Sequence, residues 1–210
     1  MDVKIKDAID DSNKFKDEYI VIAIDSTGIK VTNRDQWMKD KWDIRTKGYL
    51  KIHIVAVNVK TKEILSMKVT DEHIHDSKAL PGLVENIIKS EEMSTTTTGK
   101  LFGDGAYDGN EIFRYLGDNG IMPCIKVRKN ARVRWKKGNI LRNLSVLAQR
   151  NDLQRWKDSI VSYGQRWIVE TVFSCVKRTF DREYVYSIKF KNMVKEMMLK
   201  ASLYNKLISV

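Results

Sequence analysis

Residues 19–24 read Tyr-Ile-Val-Ile-Ala-Ile, an unbroken apolar run rich in β-branched side chains, and Asp25-Ser26-Thr27-Gly28 follows at once. The run has no helical period and is far shorter than the ~20 residues that cross a bilayer. It reads as a buried β-strand, predicted over 18–24 and ending at a turn. Carboxylates prefer water, so an acid at the end of a buried strand needs a reason. Asp104 has the same context, in Phe102-Gly103-Asp104-Gly105-Ala106-Tyr107-Asp108 after a short strand predicted at 100–104. A cap or a turn accounts for either acid taken alone equally well.

The surrounding pattern predicts an α/β layout. Residues 49–59 alternate apolar with polar and pair, across a turn at 60–63, with a strand at 64–70. Asp76 is placed to cap a helix over 77–89, and 94–98 reads as a polar linker. A helix over 110–118 closes at Gly120, and a strand follows at 121–127. A helix is predicted over 163–182 with Val169, Val172, Phe173, Val176 and Phe180 on its apolar face, and a last amphipathic helix over 189–207. Its methionines read as core rather than as a partner groove. Residues 29–48 read as an arm or loop. An antiparallel meander therefore comes first, and crossover strands later. Strands that end in acids place them at a sheet edge, where α/β folds build sites.

The helix over 163–182 carries Tyr163, Arg166, Glu170 and Lys177. At about 100° per residue these fall within an arc of roughly 60°. One carboxylate among two cations and a phenol is poor core chemistry, but it suits a metal ion held beside a phosphate. Asp25, Asp104 and Glu170 together suggest a site for a hard cation, Mg²⁺ or Mn²⁺, with two ions as the expected number. Asp25 is the candidate to bridge both ions. Arg166 and Lys177 are candidates to hold DNA phosphates, and Tyr163 to stack on a base or bond a phosphate.

The charge points to the same partner. Residues 126–157 hold eleven cations against the single acid Asp152, so nearly all of the net charge of +11 lies in that segment. Such asymmetry is the footprint of a polyanion. Arg132, Arg134, Lys136 and Lys137 are the leading DNA contacts. The interleaved Trp135 and Trp156 would either stack on bases or anchor the segment to the body.

On these residues the chain resembles the catalytic domain of prokaryotic insertion-sequence transposases of the DDE type. The helix matches the YREK signature of one large group through Tyr163, Arg166, Glu170 and Lys177. Residues 23–27 resemble the strand of the first Asp, residues 103–107 that of the second, and His75-Asp76-Ser77 is similar to another recurrent feature. The resemblance implies a ribonuclease-H-like fold: a mixed sheet flanked by helices, with the basic segment 126–157 as an insertion before the Glu-bearing helix. It also implies a catalytic domain over 18–210 after a polar segment at 1–17. The implied reaction is metal-dependent cleavage at the element's ends followed by strand transfer, without a covalent enzyme–DNA intermediate. Asp25, Asp104 and Glu170 would be both catalytic residues and metal ligands. The partners implied are element-end and target DNA, and further copies of the chain assembled on DNA. A metal-dependent nuclease that cuts without joining, or a non-catalytic DNA-binding remnant, are the alternatives.

Members of that group usually carry a substantial region before the first catalytic strand, whereas here 24 residues precede Asp25. A truncated copy, a split frame with a separate end-binding chain, or an immobile element is expected. No signal-peptide h-region is read at the start, so the expected compartment is the cytoplasm. Cys124 and Cys175 are expected as buried thiols rather than a disulfide. His73 and His75 lack a partner pair for zinc. Asp108 reads as a helix cap, with a supporting place behind a metal ligand as the alternative.

Overall fold

The computed structural model describes residues 19–31, 49–56, 59, 61–71, 73–89, 97–136, 138–180, 184–187 and 189–209. Strands β1 (Tyr19–Val31), β2 (Tyr49–Ala56) and β3 (Ile64–Asp71) form an antiparallel meander. Helix α1 (Asp76–Lys89) leads to β4 (Thr97–Gly103), which lies parallel to β1 on the side away from β2. Helix α2 (Asn110–Asp118) leads to β5 (Met122–Ile125), parallel to β4. Helix α3 (Ile140–Asn151) precedes α4 (Trp167–Thr179), the two-residue β6 (Tyr184–Val185) and α5 (Phe190–Ile208). The sheet order is β3-β2-β1-β4-β5, with β6 added beside β1. A mixed sheet between helices is the ribonuclease-H-like layout that the resemblance implies.

The period of two along β1 sorts the core. Ile22 and Ile24 pack with Leu101, Ile125 and the buried faces of α1 and α2. Ala23 and Ile29 point the other way, with Phe102 and Cys124, into a cluster that includes Val169, Val172, Phe173 and Val176 of α4 and Met193 and Met197 of α5. Burying each such side chain contributes about 1.5–3 kcal/mol relative to exposure.

Helix α2 matches its expected span because its stop signal is local. Gly120 takes φ 70°, its N–H donates to the Gly117 carbonyl, and Ile121 N–H reaches the Leu116 carbonyl at 2.9 Å. That is a Schellman closure, with Ile121 and Leu116 in one apolar cluster.

Several boundaries correct the expectation. Strand β1 does not stop at Asp25; it runs on to Val31, because residues 23–30 pair with 49–56 and that ladder overrides the Ser-Thr-Gly turn signal. Residues 32–48 of the expected arm lie outside the described residues. Strand β4 starts at Thr97, inside the expected linker. The striped helix starts at Trp167, after a 3₁₀ turn at Tyr163–Arg166. Cys124 is buried, with its thiol pushed up to about 12 by burial, but Cys175 is exposed, and both are free. Met193 and Met197 are core, whereas Met198 is half exposed.

Candidate active site

Along the β4 side of β1 the pairing ends at Ala23 and resumes, with β6, at Lys30. The stretch between is a notch in the sheet, and Asp25 sits in it. By the period of two, Asp25 shares the face of Ala23 and Ile29, which is the face that α4 covers. Ala23 pairs with Phe102, and Asp104 lies two residues beyond Phe102 just as Asp25 lies two beyond Ala23. The two acids thus end one row across adjacent parallel strands, which run about 4.8 Å apart.

Asp25 Oδ1 accepts the Ser26 N–H at 2.8 Å, and Oδ2 accepts Arg166 Nη1 at 3.0 Å. Burial is the largest influence on this carboxyl and pushes it above the ordinary value; Ser26 and Arg166 pull it down, and the nearby Asp104 pushes it up again. Asp104 Oδ1 accepts the Ala106 N–H at 2.9 Å and caps the 3₁₀ turn Gly105–Tyr107. The cap role is therefore real, and it occupies one oxygen. Glu170 lies in the first turn of α4 and accepts Arg166 Nη2 at 2.6 Å. Asp25, Glu170 and Lys177 line one cleft of about 380 Å³ with Ser26, Thr27 and Ser174.

Arg166 changes role relative to its sequence reading. Expected on a DNA phosphate, its guanidinium instead forks between Asp25 and Glu170. Among the described residues no group of three or more His, Cys, Asp or Glu stands close enough together to hold a metal ion. The donors still suit a hard divalent cation: they are oxygen only, and a positive charge already sits between two of the three acids.

Tyr163 also corrects its sequence reading. It is buried, its hydroxyl donates to the Gly103 carbonyl at 2.9 Å, and its ring lies 5.2 Å from Trp156 and edge-on to Phe102 at 6.3 Å. Burial pushes its phenol up to about 12. A side chain enclosed in this way has no face for a base. It docks the turn before α4 onto the end of β4. Ser162, which opens that turn, takes φ 56°, uncommon for a residue with a Cβ.

Tyr107 is the residue that sequence reasoning missed. It is fully buried, its hydroxyl has no hydrogen-bond partner among the described residues, and Asp76, Asp25 and Asp104 all act on it electrostatically. The motif at 102–108 contains it, but nothing in the spacing separates a buried phenol beside acids from an ordinary core tyrosine.

The basic segment is an ordered platform. Helix α3 has Asn139 as its N-cap, with Oδ1 accepting the Arg142 N–H at 3.2 Å. Its inward side is polar. Gln149 donates to the Ile125 carbonyl at 2.8 Å and accepts the Val127 N–H at 3.0 Å, and Asn143 accepts the Arg134 N–H at 3.1 Å. Arg142 pairs with Asp108 through two bonds of 2.6 and 3.1 Å, and the Asp108 side chain is only 1% exposed. Asp108 is thus neither the cap of α2, which is Gly109, nor a carboxylate facing the cleft. Trp156 is buried beside Tyr163 and anchors the segment, whereas Trp135 is exposed. Arg132, Arg134 and Lys136 are exposed; Lys137 lies outside the described residues.

Residues 16–206 match the family model described as a transposase DDE domain. The match covers most of the chain and spans both strand-borne acids, the basic platform and α4. The chain belongs to that family.

Proposed function

We propose that this member of the transposase DDE-domain family cuts DNA at the ends of an insertion sequence and joins the freed 3′ ends to target DNA. The observation that carries this reading is Asp25 and Glu170 lining one cleft and joined through Arg166, with Asp104 near enough to Asp25 to act on its carboxyl. Its YREK signature places it, on our reading, in that group of insertion-sequence transposases.

Asp25, Asp104 and Glu170 are the catalytic acids and would hold Mg²⁺ or Mn²⁺, two ions at full occupancy. Bound there, such ions polarise the phosphodiester and lower the pKa of an attacking water. Asp25 carries the unfavourable proximity of Asp104, which a bound cation relieves. With a cation held by Asp25 and Glu170, Arg166 would be free to hold the phosphate that its guanidinium suits by geometry. Lys177 lines the same cleft and supplies a second positive charge for the DNA backbone. Tyr163 acts from behind, by holding the turn that precedes α4. The working form is an oligomer assembled on DNA in the cytoplasm.

The test is a strand-transfer assay with pre-cleaved element ends and Mg²⁺. Joined products are expected. Cutting without joining would reassign the chain as a nuclease. Asp25→Asn and Glu170→Gln should each lower cleavage by about a thousandfold, the scale of several kcal/mol in transition-state stabilisation. Unchanged Mn²⁺-dependent cleavage in either variant would remove that residue from the site.

A further inference from the structure

A second cavity, of about 490 Å³, lies between the turn after Asp104 and the basic platform. Arg128, Arg132, Arg134 and Arg142 line it, together with Asp108. The single acid is already neutralised, because Arg142 forks onto it. Arg128 is tethered through Nε to the Gly105 carbonyl at 2.9 Å, which leaves its two terminal nitrogens available. Arg132 and Arg134 are exposed, and their guanidinium groups bond to nothing among the described residues. Their backbones, by contrast, are held. Arg134 N–H donates to Asn143 at 3.1 Å, its carbonyl accepts Gly138 N–H at 2.6 Å, and Arg150 donates to the Ala131 carbonyl at 2.7 Å. A Cβ on Gly138 would strike the Arg134 carbonyl, so that tight return of the chain requires glycine. Uncommitted guanidinium groups on a clamped backbone are preorganised for an anion, and the planar fork of arginine matches phosphate oxygens.

We propose that this cavity seats one backbone phosphodiester of the bound DNA strand and thereby sets the register of that strand over the carboxylate cleft. The proposal rests on the reading of the cleft as a DNA-cutting site. Asp108 lies four residues beyond Asp104, a reach of at most ~14 Å at ~3.5 Å per residue. At about 3.4 Å of axial rise per nucleotide, that reach from Asp104 to the cavity spans roughly four nucleotides. A contact of this kind carries no base information; it positions.

The experiment is fluorescence anisotropy of the full chain with a labelled 20-base-pair duplex, titrated over salt. The double variant Arg132→Gln/Arg134→Gln is compared with Lys191→Gln/Lys195→Gln, an equal charge change on exposed positions of α5. Loss of one seated phosphate should reduce the slope of log affinity against log salt by about 0.9 in the arginine variant only. Equal change in both variants would overturn the pocket, because the effect would then belong to overall charge. Inorganic phosphate at matched ionic strength forms the second arm. A diester seat keeps its duplex, whereas displacement at sub-millimolar phosphate would make it a site for the free ion and overturn the proposal. Failure of the two readings is distinguishable. Pocket-dependent binding without any cleavage sinks the cleft reading alone; cleavage with indistinguishable variants sinks the pocket alone.

Discussion

Helices α4 and α3 carry the carboxylate cleft and the basic platform, and they are built in opposite ways. Helix α4 follows the usual rule: Val169, Val172, Phe173 and Val176 are buried, and Glu170 and Lys177 face the cleft. Helix α3 inverts it. Asn143 and Gln149 are buried beside Val146, whereas Ile140, Leu144 and Leu147 are exposed. One half is positioned by apolar contact with the sheet. The other is positioned by side chains that bond the backbone of a basic loop. Apolar contact places a helix while tolerating small shifts; side-chain-to-backbone bonds fix a loop atom by atom, and each broken one strands a buried polar group.

The sharpest way to break the contrast is Arg142→Met. It leaves Asp108 buried and without its ion-pair partner, which should cost about 3–5 kcal/mol in urea unfolding. Adding Asp108→Leu should recover much of the loss. If the single variant is as stable as the parent, polar clamping is not what holds the platform.

Arg166→Gln tests the cleft from the other direction. It removes the guanidinium that occupies Asp25 and Glu170. Calorimetry should show Mn²⁺ binding about tenfold tighter, the equivalent of ~1.4 kcal/mol. Arg178→Gln, the same charge change on the exposed side of α4, should give less. An unaltered affinity would mean that the arginine and the cation do not compete.

Tyr163→Phe should cost about 1 kcal/mol of stability through the lost bond to Gly103 and leave duplex affinity unchanged. A weaker affinity with unaltered stability would return the phenol to the DNA surface.

The smallest effect belongs to Asp25→Asn. Because the folded-state pKa of Asp25 is raised, its contribution to stability is complete below the ordinary value of 3.8 and is lost as pH rises through the raised one. At pH 7 the charged form therefore opposes the fold. The variant should melt at a higher temperature there. The difference should fade as pH approaches 4. A lower melting temperature at pH 7 would mean that the Arg166 bond outweighs burial.

The same contrast explains what the sequence made legible. The acids of the cleft follow apolar runs and the stripe keeps a helical spacing, so Asp25, Asp104 and Glu170 stand out. Helix α3 was hidden because Asn143 and Gln149 occupy the positions where an apolar period would be counted. Arg142 is one of the eleven cations of 126–157, and charge counting cannot tell its inward guanidinium from an outward one. Tyr163 fitted the stripe on an ideal helix, but the local chain is a 3₁₀ turn that faces it inward. The continuation of β1 past Asp25 depends on β2, distant in sequence, and no local signal at Ser26-Thr27-Gly28 announces it.

The Gly103 carbonyl oxygen accepts two bonds, from the Tyr163 hydroxyl at 2.9 Å and from the Lys126 N–H at 3.1 Å. The peptide that carries it leads directly into Asp104. A single atom is therefore the common fastening of the strand that ends at one carboxylate, the turn that leads to another, and the first residue of the basic platform. A shift of the platform at Lys126 is passed to the peptide that precedes Asp104.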